Sequence, residues 1–424
     1  MTSEYTGTKT IKTSSSSTCR FCAEPLNQSF VDLGMSPLCQ THIKTENLNE
    51  MEPFYPLHAY VCNNCYLVQL DEFVTPDQIF SDYDYFSSYS DSWVAHAQRY
   101  AEKMSGKLKL SSDDLIVEIA SNDGYLLQHF VQKDLSVLGV EPAANIAKVA
   151  NEKGIRTIVR FFGAKTAQEV RGTYQPAKLI LGNNVLAHVP DINDFVSGIK
   201  ILLATSGTIT MEFPHLLQLI EHNQYDTIYH EHFSYLSLYT VSRIFKYHGL
   251  EIFDVEELNT HGGSLRIYAK HTDDETQDVQ SSVHRLLAKE IEEGINSPEL
   301  YHRFEERVKT SKRDLLSFLI GAKNAGKQVV GYGAPGKGNT LLNYCGIRTD
   351  FLDYTVDRSP QKQGKYTPGT RIPIMEPSMI KETKPDYVLV LPWNLEKEIV
   401  EQHDYIKEWD GKFVIPIPNV RILE

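Results

Sequence analysis

Leu115-Ile116-Val117-Glu118-Ile119-Ala120-Ser121-Asn122-Asp123-Gly124-Tyr125-Leu126-Leu127 is the stretch on which the fold of this 424-residue chain turns. An apolar run broken by one acid reads as a strand buried on both faces, and the polar turn at 121–124 hands the chain to a helix. Working outward, strand-like segments follow at 137–140, 155–159, 179–181 and 207–212. Helical stretches at 143–153, 164–172 and 191–204 separate several of them. Such alternation predicts a parallel sheet with helices on both faces. Upstream, apolar spacing predicts an amphipathic helix over about 93–104; downstream, 241–271 supply a helix and two strands. A charged helical region then leads to a second α/β unit with strands at 328–333, 354–356 and 387–391. The fold class is α/β, with two Rossmann-like doubly wound domains behind a small N-terminal module.

The turn also discriminates between cofactors. A dinucleotide pyrophosphate asks for a glycine-rich loop, ideally G-x-G-x-x-G, through which backbone amides close on the phosphates. Only Gly124 is present. S-adenosylmethionine carries no phosphate and asks for acidic and amide groups around its amino-acid end, plus an acid for its ribose. Glu118, Asn122, Asp123 and Gly124 suit the first task, and Glu141, closing the second strand, suits the second. The fourth strand runs into Gly182-Asn183-Asn184-Val185-Leu186-Ala187-His188-Val189-Pro190-Asp191, at the sheet end where such folds bind ligands. Asn183 and Asn184 are candidates to line the cofactor and His188 to reach the reacting centre. The competing reading is a polar turn in which Asp191 caps the next helix.

Past the sheet, Tyr229-His230-Glu231-His232 sets four proton-handling side chains in a row, followed by Phe233-Ser234-Tyr235. Histidine titrates near neutrality, and a neighbouring carboxylate or phenol tunes it, so the run reads as acid–base apparatus. Taken alone it also fits a solvated loop or a metal site. Thr260-His261-Gly262-Gly263-Ser264-Leu265-Arg266 is a tight turn into a strand, with His261 and Arg266 as candidate substrate contacts. A surface arginine on an edge strand is as natural a reading of Arg266. In the second unit, Gly331-Tyr332-Gly333-Ala334-Pro335-Gly336-Lys337-Gly338-Asn339-Thr340 approximates a phosphate loop. Gly338 stands where Ser or Thr must hold magnesium, which excludes an ATPase. Gly336 and Lys337 remain suited to a phosphate or diphosphate, and the loop 365–369 is expected close to the same pocket.

The bulk properties narrow the classes. The chain is 41% apolar and 23% charged, with a net charge of −13. Without a dense basic stripe, nucleic acid is not expected as a partner. No apolar run approaches the ~20 residues of a membrane helix, and no signal-peptide core is evident, so a cytoplasmic protein is expected. In a reducing compartment paired cysteines are metal ligands sooner than disulfides. Cys19-x-x-Cys22 and Cys62-x-x-Cys65 form two knuckles able to hold a tetrahedral, structural Zn2+; the alternative is four buried thiols paired by chance. Cys39 and Cys345 have no such partner. The expected division is a disordered tail over 1–18, a zinc-binding module over 19–75, a central cofactor domain with its linker helix over 76–272, a helical connector over 273–325, and a C-terminal Rossmann-like domain over 326–424, suited to a phosphate or diphosphate.

Together these motifs, in this order, resemble the S-adenosylmethionine-dependent C-methyltransferases of nucleotide-linked deoxysugars, over about residues 19–420. The resemblance implies a nucleotide-diphosphate 4-keto-6-deoxysugar as acceptor, thymidine diphosphate being the commonest carrier. It implies Tyr229, Glu231 and His232 in the acceptor pocket, His188 opposite, and a tyrosine from the link after the zinc module, Tyr83. Ala120 departs from the glycine many methyltransferases have there. The implied reaction is removal of the acidic ring hydrogen beside the keto group, probed at C3 first, followed by attack of the enolate carbon on the donor methyl. His232 is the first choice of base and Tyr229 the second. An O- or N-methyltransferase, an NAD-dependent nucleotide-sugar oxidoreductase or epimerase, and a non-catalytic zinc-dependent interaction protein are the alternatives. Sequence leaves the oligomeric state open.

Overall fold

The computed structural model describes residues 17–76 and 86–423. Strands are numbered in chain order. The N-terminal module contributes β1 (Gln28–Ser36), β2 (Tyr55–Val61) and β3 (Val68–Leu70), joined antiparallel. The central domain builds a seven-stranded sheet from β4 (Leu115–Ile119), β5 (Ser136–Glu141), β6 (Thr157–Val159), β7 (Ala177–Asn183), β8 (Leu203–Pro214), β10 (Leu250–Leu258) and β11 (Ser264–His271), in the order β10-β11-β8-β7-β4-β5-β6. Strands β4 to β8 pair in parallel, and β11 and β10 finish one side antiparallel. The β4 sequence is apolar on both sides because helices cover both faces; all five of its residues are buried.

The missing strand, β9 (Ser234–Tyr235), belongs elsewhere. It joins the zinc module's sheet, with Gln69 opposite Ser234 and Val68 opposite Tyr235. The central chain therefore leaves its own sheet after Pro214, completes that of the N-terminal module, and returns. Residues 229–233 are held in the passage between the two sheets, so the histidine run is buried and not a solvated loop.

The connector region forms two helices, Ser281–Glu292 and Pro298–Asn324. The longer helix turns Tyr301, Phe304, Val308, Leu315 and Leu319 inward, at helical spacing. Phe304 stacks on Phe30 of β1 at 4.5 Å, tying the module to the rest; a fully buried aromatic of this kind contributes about 1.5–3 kcal/mol. The C-terminal unit has β12 (Val329–Tyr332), β13 (Thr355–Val356), β14 (Ile374–Met375), β15 (Tyr387–Val390), β16 (Lys412–Ile415) and β17 (Arg421–Leu423), ordered β14-β13-β12-β15-β16-β17. Its first loop opens the helix Gly336–Cys345. The expected tail over 1–18 falls almost wholly outside the described residues. Its last two members belong to the module: the Ser17 carbonyl accepts from the Leu26 amide, and Thr18 bridges Pro25.

Candidate active site

The loop after β4 reverses so tightly that three of its residues sit in the left-handed region: Ala120 at φ 55°, Asn122 at 49° and Gly124 at 78°. Ala120 carries its β-carbon there at a steric cost that glycine would avoid. The Glu141 carboxylate fastens the loop, accepting from the Asn122 amide at 3.0 Å and the Ala143 amide at 2.9 Å. Burial raises the Glu141 pKa, and the same two amides pull it back. Beneath the loop, Glu118 is held well above the ordinary carboxyl range, first by burial and then by the charges of Glu141 and Asp123. Asp123 faces away, accepting from Ser88 and from Lys153 at 3.3 Å.

Over this loop opens a cavity of about 470 Å3, within the usual ~300–1,000 Å3 of small-molecule sites. Asn122, Glu141, Asn183 and Asn184 line it; Glu118, Asp123 and Gly124 are not in its lining. Phe161 and Phe162 give it an apolar wall near Glu141, and Trp93 and Tyr125 another. The side-chain oxygen of Asn184 is buried at this wall without a hydrogen-bond partner. An acid at the strand end, aromatic faces and amide oxygens suit S-adenosylmethionine. With one glycine in the turn, a pyrophosphate has no comparable cradle.

A second cavity of about 460 Å3 adjoins the first, and both are lined by Asn184 and His188. All three chain regions build it. The module sends in Leu38, Gln40 and His42; the central domain His188, Tyr229, Glu231, His232 and His261; the C-terminal unit Gly336, Lys337, Lys362 and Lys365. His232 donates from Nδ1 to the Thr227 carbonyl at 2.9 Å, which leaves Nε2 as the acceptor. Its ring lies 4.6 Å from that of His188 and 4.1 Å from that of Tyr229. Burial, then His188, depresses the His232 pKa well below 6.5. Burial takes His188 and His261 down to about 4 each. All three rings are neutral at pH 7. The Tyr229 phenol moves the other way, pushed well above 10 by burial and then by Cys39 and Glu231.

The four module cysteines bring their sulfurs within 4.8 Å of one another. Cys19 and Cys65 are 3.5 Å apart, as are Cys22 and Cys62, close to the ~3.8 Å edge of a tetrahedron with Zn–S ~2.3 Å. Each knuckle closes the same way, with Ala23 at φ 61° donating to the Cys19 carbonyl and Tyr66 at φ 59° to that of Cys62. Gln69 donates to the Cys19 sulfur at 3.2 Å. Four thiolates and no open position suit a structural zinc ion.

Three family profiles cover the chain: a zinc binding domain at 19–80, a methyltransferase domain at 94–255 and a C-methyltransferase C-terminal domain at 259–418. C-methyltransferase NovU of Streptomyces niveus is 36% identical over 408 residues, 96% of each chain. The chain belongs to the C-methyltransferase family. Its methyl donor is S-adenosylmethionine, and its cysteine cluster is the zinc site. Solved structures are similar over part of it: an S-adenosylmethionine-dependent methyltransferase from Clostridium acetobutylicum (10% identity, 42% of this chain, 92% of that chain, TM-score 0.34) and magnesium protoporphyrin IX methyltransferase from Synechocystis (15%, 42% and 81%, TM-score 0.32). The family assignment rests on the sequence matches. It sets aside the O- or N-methyltransferase, oxidoreductase and interaction-protein readings. Among the described residues no helix is long and apolar enough to cross a membrane.

Most of the site residues expected in this C-methyltransferase line the two cavities; Glu118, Asp123, Gly124 and Arg266 do not. His230 turns away to donate to the Pro56 carbonyl of β2 at 3.1 Å. Arg266 lines neither cavity. It sits on β11, an inner strand and not an edge, and its guanidinium pairs with Glu212 at 2.6 Å over the face of Tyr100. Tyr83 lies outside the described residues. Sequence reading missed Ser87, whose amide donates to Asn122 at 2.9 Å, and Ser88 beside Asp123, although both stand in the tyrosine-rich link. It also missed Lys362 and His42, which no local pattern marks. Cys39 proves to be packed behind the second cavity, donating to Glu231 at 3.4 Å.

Proposed function

We propose that the enzyme methylates a ring carbon beside the keto group, C3 in first place, of a nucleotide-linked 4-keto-6-deoxysugar, with thymidine diphosphate as the carrier. The observation that supports this most is the state of His232. A neutral ring, its Nδ1–H committed to Thr227, offers an unprotonated Nε2 in the cavity next to that of the methyl donor. Lys337, Lys362 and Lys365 lie in the same cavity, as an anionic diphosphate requires.

In this reading Nε2 of His232 takes the acidic hydrogen of the ring carbon, and the electron pair of that C–H bond moves onto the keto oxygen. The imidazolium then stands beside a developing enolate, which offsets the desolvation that keeps the ring neutral at rest. Tyr229 is the weaker candidate for base, because its surroundings disfavour a phenolate. Its hydroxyl is better used to donate to the enolate oxygen, and Glu231 to orient the acceptor. S-adenosylmethionine supplies the electrophilic methyl that the carbon takes. Glu141 would hold the ribose of the donor, with Asn122 and Asn183 beside its amino-acid end.

The test is His232→Asn, offered thymidine diphosphate 4-keto-6-deoxyglucose in deuterated solvent. Exchange of the ring hydrogen and methylation are expected to fall at least 100-fold while S-adenosylmethionine affinity by calorimetry stays within about twofold, since general-base assistance is typically worth 10²–10⁴. Exchange at the native rate would remove His232 from the chemistry.

A further inference from the structure

Arg20 is the second residue of the first zinc knuckle, and its side chain leaves the metal site altogether. One guanidinium nitrogen donates to the Pro190 carbonyl at 2.9 Å, and the other donates to the Leu70 carbonyl at the end of β3. The guanidinium carbon lies 5.5 Å over the ring of Phe233. Its own backbone is tied down as well: its amide donates to Gln69 at 2.9 Å, and its carbonyl accepts from Asn193 at 3.2 Å. Pro190 follows His188 by two residues and Phe233 follows His232 directly. The Phe233 amide donates to the Ala187 carbonyl at 2.8 Å, and its carbonyl accepts from the Leu70 amide at 3.1 Å. One planar fork thus touches both segments that carry the facing histidines.

We infer that Arg20 is a positioning residue for the His188–His232 pair, through which the zinc knuckle sets the geometry of the acceptor site. This rests on the proposed use of those histidines. A guanidinium is suited to the task because its donors are spread over a rigid plane, whereas a lysine ammonium places all of its donors on one atom at the end of a flexible stem and cannot span the same two carbonyls in a fixed geometry. Catalytic geometry is steep in distance, so a displacement of about 1 Å at the histidines is enough to lower turnover about 100-fold.

The experiment compares Arg20→Met and Arg20→Lys with the native enzyme. Zinc content is read by metal analysis, S-adenosylmethionine affinity by calorimetry, turnover with thymidine diphosphate 4-keto-6-deoxyglucose, and backbone hydrogen exchange by mass spectrometry over 183–191 and 229–236. Expected for Arg20→Met are full zinc, donor affinity within about twofold, kcat lower by roughly 10- to 100-fold, and faster exchange in both segments. Arg20→Lys recovers part of kcat. Unchanged exchange in both segments with zinc retained overturns the inference, as does unchanged kcat. If Arg20→Met loses zinc, Arg20→Lys decides alone: with zinc retained, native exchange and native kcat overturn the inference. His232→Asn separates the two ideas: native turnover there sinks the base assignment, and the exchange arm still judges the link from Arg20.

Discussion

Glu212→Gln is expected to destabilise the enzyme by about 3–5 kcal/mol, the range for removing one partner of a buried ion pair. Glu212 stands directly opposite Arg266 across β8 and β11 and is 0% exposed. One carboxylate oxygen accepts from Arg266 at 2.6 Å and His96 at 3.0 Å, the other from Thr260 at 3.0 Å. Replacement by an amide leaves the Arg266 charge buried without its carboxylate, beside His96 at 2.9 Å, Glu256 at 3.5 Å and the Tyr100 ring. Urea unfolding monitored on the central domain should show a lower midpoint with little change in slope. Glu212→Gln with Arg266→Met removes both charges and should recover more than half of the loss. A cost below about 1 kcal/mol, or a double variant no better than the single one, refutes the reasoning. There is a pH signature too. Desolvation pushes the Glu212 carboxyl up, but His96 and Arg266 outweigh it and the pKa ends below 4.5. A depressed acid contributes stability that is present above its unfolded pKa and lost as pH falls through the folded one, so native protein should shed this term below pH 4.5 and the variant should not.

Other perturbations reach separate parts of the molecule. Cys62→Ala should release the zinc and lower the thermal midpoint of the full chain, read by metal analysis and calorimetry; retention of one zinc per chain would contradict a four-thiolate site. Lys365→Ala should raise KM for thymidine diphosphate 4-keto-6-deoxyglucose about 5- to 30-fold and leave S-adenosylmethionine affinity untouched, because loss of one charge-assisted hydrogen bond costs roughly 1–2 kcal/mol. A matched change in both affinities would deny the lysine an acceptor role.

The alternation around 115–212 was legible because both signals are local. A buried parallel strand is apolar throughout, and its helices carry their own period. The knuckles were legible for the same reason: a thiolate pair on one turn is a pattern of four residues. The placement of 229–235 was not legible. Val68 and Gln69 are apolar and polar in an unremarkable order, and nothing in Ser234-Tyr235 announces that they pair with them. A two-residue strand completing the sheet of another module leaves no periodicity. Arg266 misled for a related reason. Its role is set by Glu212 on a neighbouring strand, and one strand alone does not tell an inner arginine from an edge one. Lys362 and His42 entered the acceptor cavity by tertiary packing of two distant loops, and the sequence marks neither.

The acceptor cavity has a consequence for how the enzyme's rate depends on pH. His232 is depressed by burial first and by His188 next, and the positive charge of Lys337 adds to the effect. Lys337 lowers the His261 pKa as well. With no acceptor present, the His232 imidazole is unprotonated and, as the base of the proposed reading, a weak one. On the proposed reading, a diphosphate settling among Lys337, Lys362 and Lys365 cancels the field of Lys337 at the histidine. His232 then becomes a stronger base only when the ring hydrogen it must take is in place. The sign follows directly. The base works when deprotonated, so activity is lost on the acid side, and a higher pKa moves that loss to higher pH. In free enzyme, reported by kcat/KM, the acid limb should fall well below pH 6.5. In the complex, reported by kcat, its midpoint should lie higher. Lys337→Met should bring the two limbs closer by raising the lower one. Coincident limbs in native enzyme, or a kcat limb below that of kcat/KM, would show that the lysines do not govern the base.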